Sequence, residues 1–226
     1  MLHGIPQPSA PAIAGAGAPA MLRLHAFLPR SRANGPGVRA VIWFQGCRLG
    51  CPGCFNPETH PSESRWTIPA IALARDLAGR QSEIEGITVS GGEPLEQPEG
   101  LLQLLTALRT TTHLSTVLFS GYTLDETMKT ACGPRILRLV DVLIAGPFVQ
   151  ARRIARGLRG SANQVVHLLT NRYTAHDIAN TPPGEICIDP SGDVHLTGVA
   201  PRRITGSGNG PSRELDGQGD VPRTPE

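Results

Sequence analysis

Cys47, Cys51 and Cys54 share one short loop, a C-x3-C-x2-C run that also contains Gly46, Gly50, Pro52 and Gly53. Three thiolates at this spacing can wrap one small inorganic centre, either a four-iron cluster or a zinc ion, and leave its fourth position without a local ligand. An iron left open in that way can hold a substrate. The glycines let the backbone bend tightly enough for the sulfurs to converge, because glycine tolerates positive φ, and Pro52 stiffens the same turn. A structural zinc site normally supplies a second pair of Cys or His at similar spacing. Here His60 is the only nearby candidate and no paired motif follows it. Zinc stays open as the alternative for this loop taken alone.

A second motif lies one apolar run further on. Ser90-Gly91-Gly92-Glu93-Pro94 offers two consecutive glycines, whose backbone groups a ligand can approach closely, and a proline that sets the exit of the chain. In isolation such a segment is no more than a turn signal. Beside the cysteine loop it gains weight. The remaining cysteines, Cys132 and Cys187, stand alone and read as small buried hydrophobes. Arg152, Arg153, Arg156 and Arg159 form a basic stretch, with Arg152 and Arg156 expected on a solvated helical face. Seven histidines are scattered, none at metal-ligand spacing with the cysteines.

The elements that must hold these loops follow from periodicity. Residues 39–45 are an apolar run bounded by glycines, a buried-strand pattern. Thr67, Ile68 and Pro69 read as a capped, proline-started entry to a helix over 70–80 that closes near Gly79. A short strand over 86–90 precedes a helix over 96–109, whose Leu101, Leu104, Leu105 and Leu108 recur at helical spacing. Strand 115–120, a helix near 124–130 and strand 140–145 continue the alternation. Residues 164–168 and 185–197 read as shorter strands, the last forming a hairpin around Ser191 and Gly192. Strand, loop and helix repeated over short connections mean a parallel sheet with helices against it. In such sheets the functional loops gather at the carboxyl ends of the strands. The cysteine loop, the Ser90–Pro94 turn and Ser120-Gly121-Tyr122 should therefore face one end.

Composition narrows the rest. A chain of 226 residues and 24.0 kDa can enclose one sizeable core. No apolar run reaches membrane-spanning length, and a net charge of +2 implies no nucleic acid. An odd set of five cysteines, three of them clustered, argues for a reducing cytosol over a secreted disulfide framework. Residues 1–20, rich in Ala, Pro and Gly, lack the basic region and long apolar core of a secretory signal. Met21 is a second candidate start. Residues 205–226 are Gly, Pro, Ser and charge, which cannot offset the entropy of ordering. The expected organisation is a flexible tail over 1–20, one domain over 21–204 and a disordered tail over 205–226.

With the motifs in order, the chain resembles the radical S-adenosylmethionine (SAM) superfamily, in particular its small activating-enzyme branch, the activators of the anaerobic ribonucleotide reductase. The residues that carry the resemblance are Asn34 to Arg39, Gln45-Gly46-Cys47, Cys51 to Cys54, Asn56 to Thr59, Ser90 to Pro94, Ser120 to Thr123, Gly146-Pro147-Phe148 and Arg159 to Gln164. It implies an α/β fold, a partial (βα)6-type open barrel. Cys47, Cys51 and Cys54 would hold one [4Fe-4S] cluster, with the open iron chelated by the amino and carboxylate groups of SAM. Reductive cleavage would then give a 5′-deoxyadenosyl radical that abstracts hydrogen. Gly91, Gly92, Glu93 and Pro94 would bind the methionine end, and Phe55, Ser120 and Asn163 complete the expected cofactor-binding set. Many relatives place an aromatic just before the last cysteine; here that position is Gly53 and Phe55 follows. The implied activity is a cytoplasmic activase that places a glycyl radical on a large partner, the anaerobic ribonucleotide reductase, with flavodoxin or ferredoxin as electron donor. The alternatives are a radical SAM maturase of another peptide or small molecule, and a non-catalytic iron–sulfur or zinc assembly module.

Overall fold

The computed structural model describes residues 19–200 except 65, 189–191 and 193. The two tails expected from composition therefore lie outside the described residues, save for Pro19 and Ala20, and so does Ser191 of the expected hairpin turn. Ala20 is already tied in: its N–H donates to Gln103 Oε1 at 3.0 Å and its carbonyl accepts from Ala70 N at 2.9 Å.

The chain begins with two strands, β1 (Met21–Ser31) and β2 (Arg39–Phe44), then a loop containing the cysteines, β3 (Trp66–Pro69) and helix α1 (Ala70–Gly79). Next come β4 (Gly86–Gly91), α2 (Pro98–Thr111), β5 (Ser115–Ser120), two short helices α3 (Leu124–Lys129) and α4 (Gly133–Leu137), and β6 (Val142–Ala145). A small hairpin of β7 (Arg153–Arg156) and β8 (Arg159–Ser161) leads to β9 (Val165–Leu168), α5 (Ala175–Ala179) and a last hairpin of β10 (Glu185–Ile188) and β11 (Val194–Thr197). Seven strands form one sheet in the order β3-β1-β2-β4-β5-β6-β9. Its centre, β2-β4-β5-β6, is parallel, while β1, β3 and β9 run antiparallel to their neighbours. The fold is mixed α/β with a parallel-rich sheet.

Side chains alternate between the faces of each strand, and the two faces have different tasks here. Ala40, Ile42 and Phe44 of β2 join Leu118 of β5 in a core against Leu73 and Leu77 of α1 and Leu101, Leu104, Leu105 and Leu108 of α2. Val117 of β5 points the other way, into a smaller cluster with Val142, Ile144, Leu158 and Ile178. Trp43 and Phe119, also on that second face, border an open cavity. Burial on both faces explains why the central strands read as continuous apolar runs.

Two elements differ from the sequence expectation. Residues 66–69 pair with β1 as a strand, with Met21 opposite Pro69 and Leu24 opposite Trp66. Thr67 is therefore not a cap; Pro69 occupies the N-cap position and no side chain caps α1. A missing cap costs about 1 kcal/mol. The burial of Ala70, Leu73, Ala74 and Leu77 on the sheet outweighs it, at about 2 kcal/mol for each leucine. The arginines at 152–159 occupy a 3-10 turn and the β7–β8 hairpin, not a helical face. Arg152, Arg153 and Arg156 are exposed there.

Beneath the parallel strands, at the ends away from the cysteine loop, lies Arg39, fully buried. Its Nε donates to Thr88 Oγ1 at 2.9 Å, Nη1 to Pro36 O and Ser115 Oγ at 3.0 Å and to Tyr173 OH at 3.1 Å, and Nη2 to Ile87 O at 2.6 Å and Ser115 O at 3.0 Å. A side chain on Gly35 or Gly86 would run into this guanidinium. Arg39→Met should lower the unfolding free energy by about 3 kcal/mol or more, because several buried carbonyls would lose their donors at once. Arg39→Lys, with a single ammonium, should recover only part. Urea denaturation at constant m-value is the measurement, and a midpoint unchanged in Arg39→Met would show that the network is dispensable.

Candidate functional site

Four strand ends open into one cavity of about 800 Å³. The cysteine loop follows β2, Gly91 ends β4 with Gly92 and Glu93 after it, Ser120 ends β5 with Gly121 after it, and Gly146 follows β6; all of them line it. The three loops expected to face one end do so. The volume lies within the range of small-molecule sites.

The cysteine loop is held from both sides. Gly46 N donates to Thr59 O at 2.8 Å, Cys47 N to His60 O at 3.1 Å and Cys54 N to Cys51 O at 3.1 Å. Gln45 bridges it from beneath: its Nε2 donates to Pro61 O at 2.7 Å and Glu58 O at 3.1 Å, and its Oε1 meets His25 Nδ1 at 2.9 Å. Gly46, Gly50 and Gly53 take φ of 101°, 58° and 69°, the left-handed region that the tight bend requires. Glu93 N donates to Gly46 O at 2.8 Å, which fastens the Gly-Gly-Glu-Pro turn directly to the cysteine loop. A Cβ on Gly92 would collide with the Gly46 carbonyl, so only glycine permits this approach.

All three loop cysteines are half-buried and unpaired. Burial raises the Cys47 thiol above its ordinary pKa, with Glu93 and Glu96 adding to the effect, and burial followed by the neighbouring Cys51 and Glu58 raises Cys54. Carboxylates near a thiol oppose the thiolate, so these sulfurs favour a proton until a cationic centre compensates. Among the described residues no three Cys, His, Asp or Glu side chains gather closely enough for a single metal ion. Three thiols on one loop fit the donor set of a four-iron cluster with one open iron. Cys132 and Cys187, expected to be buried, are both only half-buried. Cys132 packs against the main core, and Cys187 sits on β10, far along the chain from the cysteine loop.

Glu93 is buried, with 1% of its surface exposed. Its Oε1 accepts from Leu95 N at 2.9 Å and Ser120 Oγ at 3.0 Å, and its Oε2 accepts from Gly121 N at 2.7 Å. The carboxylate thus ties the end of β4 to the end of β5 across the cavity floor. Ser120 is committed to the same junction, since its Oγ also accepts from Tyr122 N at 3.1 Å. Desolvation pushes the Glu93 carboxyl up to about 7, although its three hydrogen bonds pull in the opposite direction. Oε2 retains one acceptor direction.

Phe55 lies over Phe148 with ring centroids 4.5 Å apart, and the Arg153 guanidinium is 4.8 Å from the Phe55 centroid. A side chain on Gly160 would strike Phe55, and one on Gly53 would strike Gln150. Gly53 takes a φ of 69°, which favours glycine at the position before the last cysteine, and the aromatic surface is built one position later. Two of the expected site residues stay out of the cavity wall. Pro94 is buried at the start of a 3-10 turn, and Asn163 donates from Nδ2 to Pro147 O at 2.7 Å. The sequence reading missed Phe148, Gln150 and Arg153 as wall residues. The signal was present in Gly146-Pro147-Phe148, which follows β6 as the other loops follow their strands.

Residues 33–167 match the family described as a 4Fe-4S single cluster domain. That match, together with the α/β frame and the cysteine loop, makes the chain an iron–sulfur domain protein of the single-cluster class. The anaerobic ribonucleoside-triphosphate reductase-activating protein of Escherichia coli K12 is 32% identical over 155 residues, covering 66% of this chain and 99% of that protein. Its counterpart in Salmonella typhi is 35% identical over 160 residues with the same coverage. The chain belongs to the family of anaerobic ribonucleoside-triphosphate reductase-activating proteins. A putative glycyl-radical enzyme activating enzyme of Haemophilus influenzae is 41% identical over 88 residues, 38% of this chain and 34% of that one. Among solved structures, QueE from Escherichia coli aligns at TM-score 0.38 and 18% identity over 46% of this chain and 54% of that chain, too slight a likeness to bear on the fold. No described helix is long and apolar enough to cross a membrane.

Two measurements check this site. Anaerobic reconstitution should give about four irons per chain; Cys47→Ala, Cys51→Ala and Cys54→Ala should each abolish it, while Cys132→Ala and Cys187→Ala should not. Stoichiometric zinc without any iron–sulfur assembly would overturn the cluster assignment. The second concerns Glu93 in the metal-free chain. Its folded pKa near 7 exceeds the unfolded value, so the folded state binds the proton more tightly and stability falls as pH rises from about 4.5 to about 7. Against Glu93→Gln, which does not titrate, the wild type should gain on the order of 3 kcal/mol between pH 8 and pH 4.5. Urea denaturation across that range reads the difference, and parallel profiles would place the Glu93 carboxyl in an ordinary environment.

Proposed function

We propose that this chain is a radical SAM activase that generates a glycyl radical on the anaerobic ribonucleoside-triphosphate reductase. The observation that carries the reading is the junction of the two motifs. The cysteine loop and the Gly-Gly-Glu-Pro turn are joined by the Glu93 N to Gly46 O hydrogen bond, and both open on the same cavity at the strand ends. In this reading Cys47, Cys51 and Cys54 would hold a [4Fe-4S] cluster and the cavity would take SAM. When bound, the pair supplies reductive carbon–sulfur cleavage and hydrogen-atom abstraction.

The chain's own residues bind, orient and exclude water. Gly91 and Gly92 present bare backbone to the methionine end of SAM. Glu93 Oε2 offers its remaining lone pair to the α-ammonium, while Ser120 and Gly121 fix the direction of that carboxylate. Pro94 locks the exit of the turn, and Asn163 supports the wall indirectly by holding the Pro147 carbonyl. Phe55, backed by Phe148 and Arg153, gives the nucleoside half a flat apolar surface. Trp43 and Phe119 keep water from the floor. The partial (βα)6-type barrel belongs to this reading, with β2, β4, β5 and β6 as its parallel staves. So do a cytoplasmic setting, flavodoxin or ferredoxin as electron donor, and the absence of any nucleic-acid partner.

Incubation of the cluster-loaded protein with SAM and a reductant should release 5′-deoxyadenosine, and inclusion of the reductase should give the doublet of a glycyl radical by electron paramagnetic resonance. Cys51→Ala should lose both signals. SAM cleavage with a diamagnetic, inactive reductase would transfer the assignment to a maturase of another substrate. No cleavage at all would leave an assembly module.

A further inference from the structure

The register of β1 against β2 slips by one residue just before the cysteine loop. Leu24 stands opposite Phe44 and Ala26 opposite Trp43, so His25 is the extra residue of a bulge. The buried positions of β1 change parity across it, from Leu22 and Leu24 to Phe27. A bulge bends its strand and re-aims one side chain. The ring re-aimed here reaches Gln45, the residue that precedes Gly46 and Cys47, with Nδ1 2.9 Å from Oε1.

Gln45 closes the loop that the cysteines occupy. Four consecutive carbonyls beyond Cys54 accept from three consecutive residues at the loop entrance. Gln45 Nε2 donates to Glu58 O at 3.1 Å and Pro61 O at 2.7 Å, Gly46 N to Thr59 O at 2.8 Å, and Cys47 N to His60 O at 3.1 Å. The two outer bonds of this seam come from one NH2 group, and only one orientation of the amide makes them. Turned over, the amide would set its oxygen against two carbonyl oxygens, neither of which can donate. Its oxygen therefore faces His25, and because that oxygen only accepts, the His25 proton sits on Nδ1. His25 Nε2 is 4.0 Å from Glu58 Oε1, beyond hydrogen-bond length. Among the described residues no other donor reaches Gln45 Oε1. Gln45 is 2% exposed, so removal of the imidazole would leave a buried acceptor unsatisfied and free the amide to turn.

We propose that His25 is a positioning residue for the iron–sulfur cluster. Its Nδ1–H fixes the Gln45 amide, the amide keeps the seam closed, and the seam holds the Cys47 and Cys54 ends of the loop together. The imidazole acts through Gln45, as the partner of a ligand-bearing loop and not as a ligand. The proposal needs the cluster but not the activase reading.

The test compares His25→Leu, which removes the donor, with His25→Asn, whose side-chain N–H takes the place of Nδ1–H. After anaerobic reconstitution, iron loss to a chelator should be about tenfold faster or more in His25→Leu and near the wild-type rate in His25→Asn. The electron paramagnetic resonance signal of the reduced cluster should broaden in His25→Leu and keep its wild-type shape in His25→Asn. On a Gln45→Met background, His25→Leu should add little, because the link is already broken. Circular dichroism of the cluster-free chains should match wild type; if His25→Leu fails this, the smaller His25→Ala takes its place, and a fold lost in both assigns His25 to the frame of the sheet and overturns the proposal. Wild-type iron retention in His25→Leu overturns it, as does equal loss in His25→Leu and His25→Asn, or full additivity with Gln45→Met. A wild-type chain that assembles no cluster defeats the cluster assignment and this proposal with it, whereas a cluster that behaves as stated leaves the activase reading to its own test.

Discussion

A guanidinium taken fully out of water, with every hydrogen-bond acceptor around it neutral, sets the frame of this protein. Arg39 reaches across the starts of β4 and β5 and gathers Ile87, Thr88 and Ser115 together with Tyr173 from beyond β9. Burial lowers its pKa from the ordinary arginine value, countered by Tyr173 and, at longer range, by Asp141 and Glu85. A buried charge without an adjacent counter-ion is expensive, and it persists only when its donors are all used. The planar fork of arginine can serve carbonyls and hydroxyls from three directions; an ammonium cannot. The parallel strands are therefore locked in register at the end opposite the site, and the glycines at 35 and 86 are there to clear the volume.

Glu93 does the complementary task at the other end. It spans the same two strands, β4 and β5, at their carboxyl termini, accepting from Leu95, Ser120 and Gly121. Between these two polar clamps the sheet is apolar on the helix side and half open on the cavity side. The loops at the strand ends are thus fixed by a rigid sheet, and the site inherits that rigidity. A cysteine loop with glycine at 46, 50 and 53 would otherwise have wide backbone freedom. Gln45, Thr59 and His60 hold its two ends.

Much of this was legible in the residues, and the failures have physical reasons. The central strands are buried on both faces, so 39–44 and 115–120 announce themselves as apolar runs. β1 does not: it is half exposed, and its register shifts between Leu24 and Ala26 and again between Leu28 and Ser31 break the alternation. β3 was hidden because Thr67-Ile68-Pro69 satisfies the rules for a helix start equally well. The cysteines and the Gly-Gly-Glu-Pro turn were found through local spacing. The burial of Arg39 and the bracing of Ser120 by Glu93 depend on partners dozens of residues away, which spacing cannot reveal. Arg153 escaped for the same reason, since it meets Phe55 only once the chain folds back at β7, whereas Phe148 had its signal in the run Gly146-Pro147-Phe148 after β6.

Part of the cavity floor is main chain. Gly91, Gly92, Gly121 and Gly146 line it, and at the first three an added methyl group would overlap neighbouring atoms. Main-chain surface is nearly silent to point mutation, because changing a codon there alters the fold before it alters selectivity. A protein with such a floor can diversify only where side chains speak, at the margin. The last hairpin meets the same cavity with side chains, through Val194, Leu196 and Thr197, so that margin can vary while the floor stays fixed.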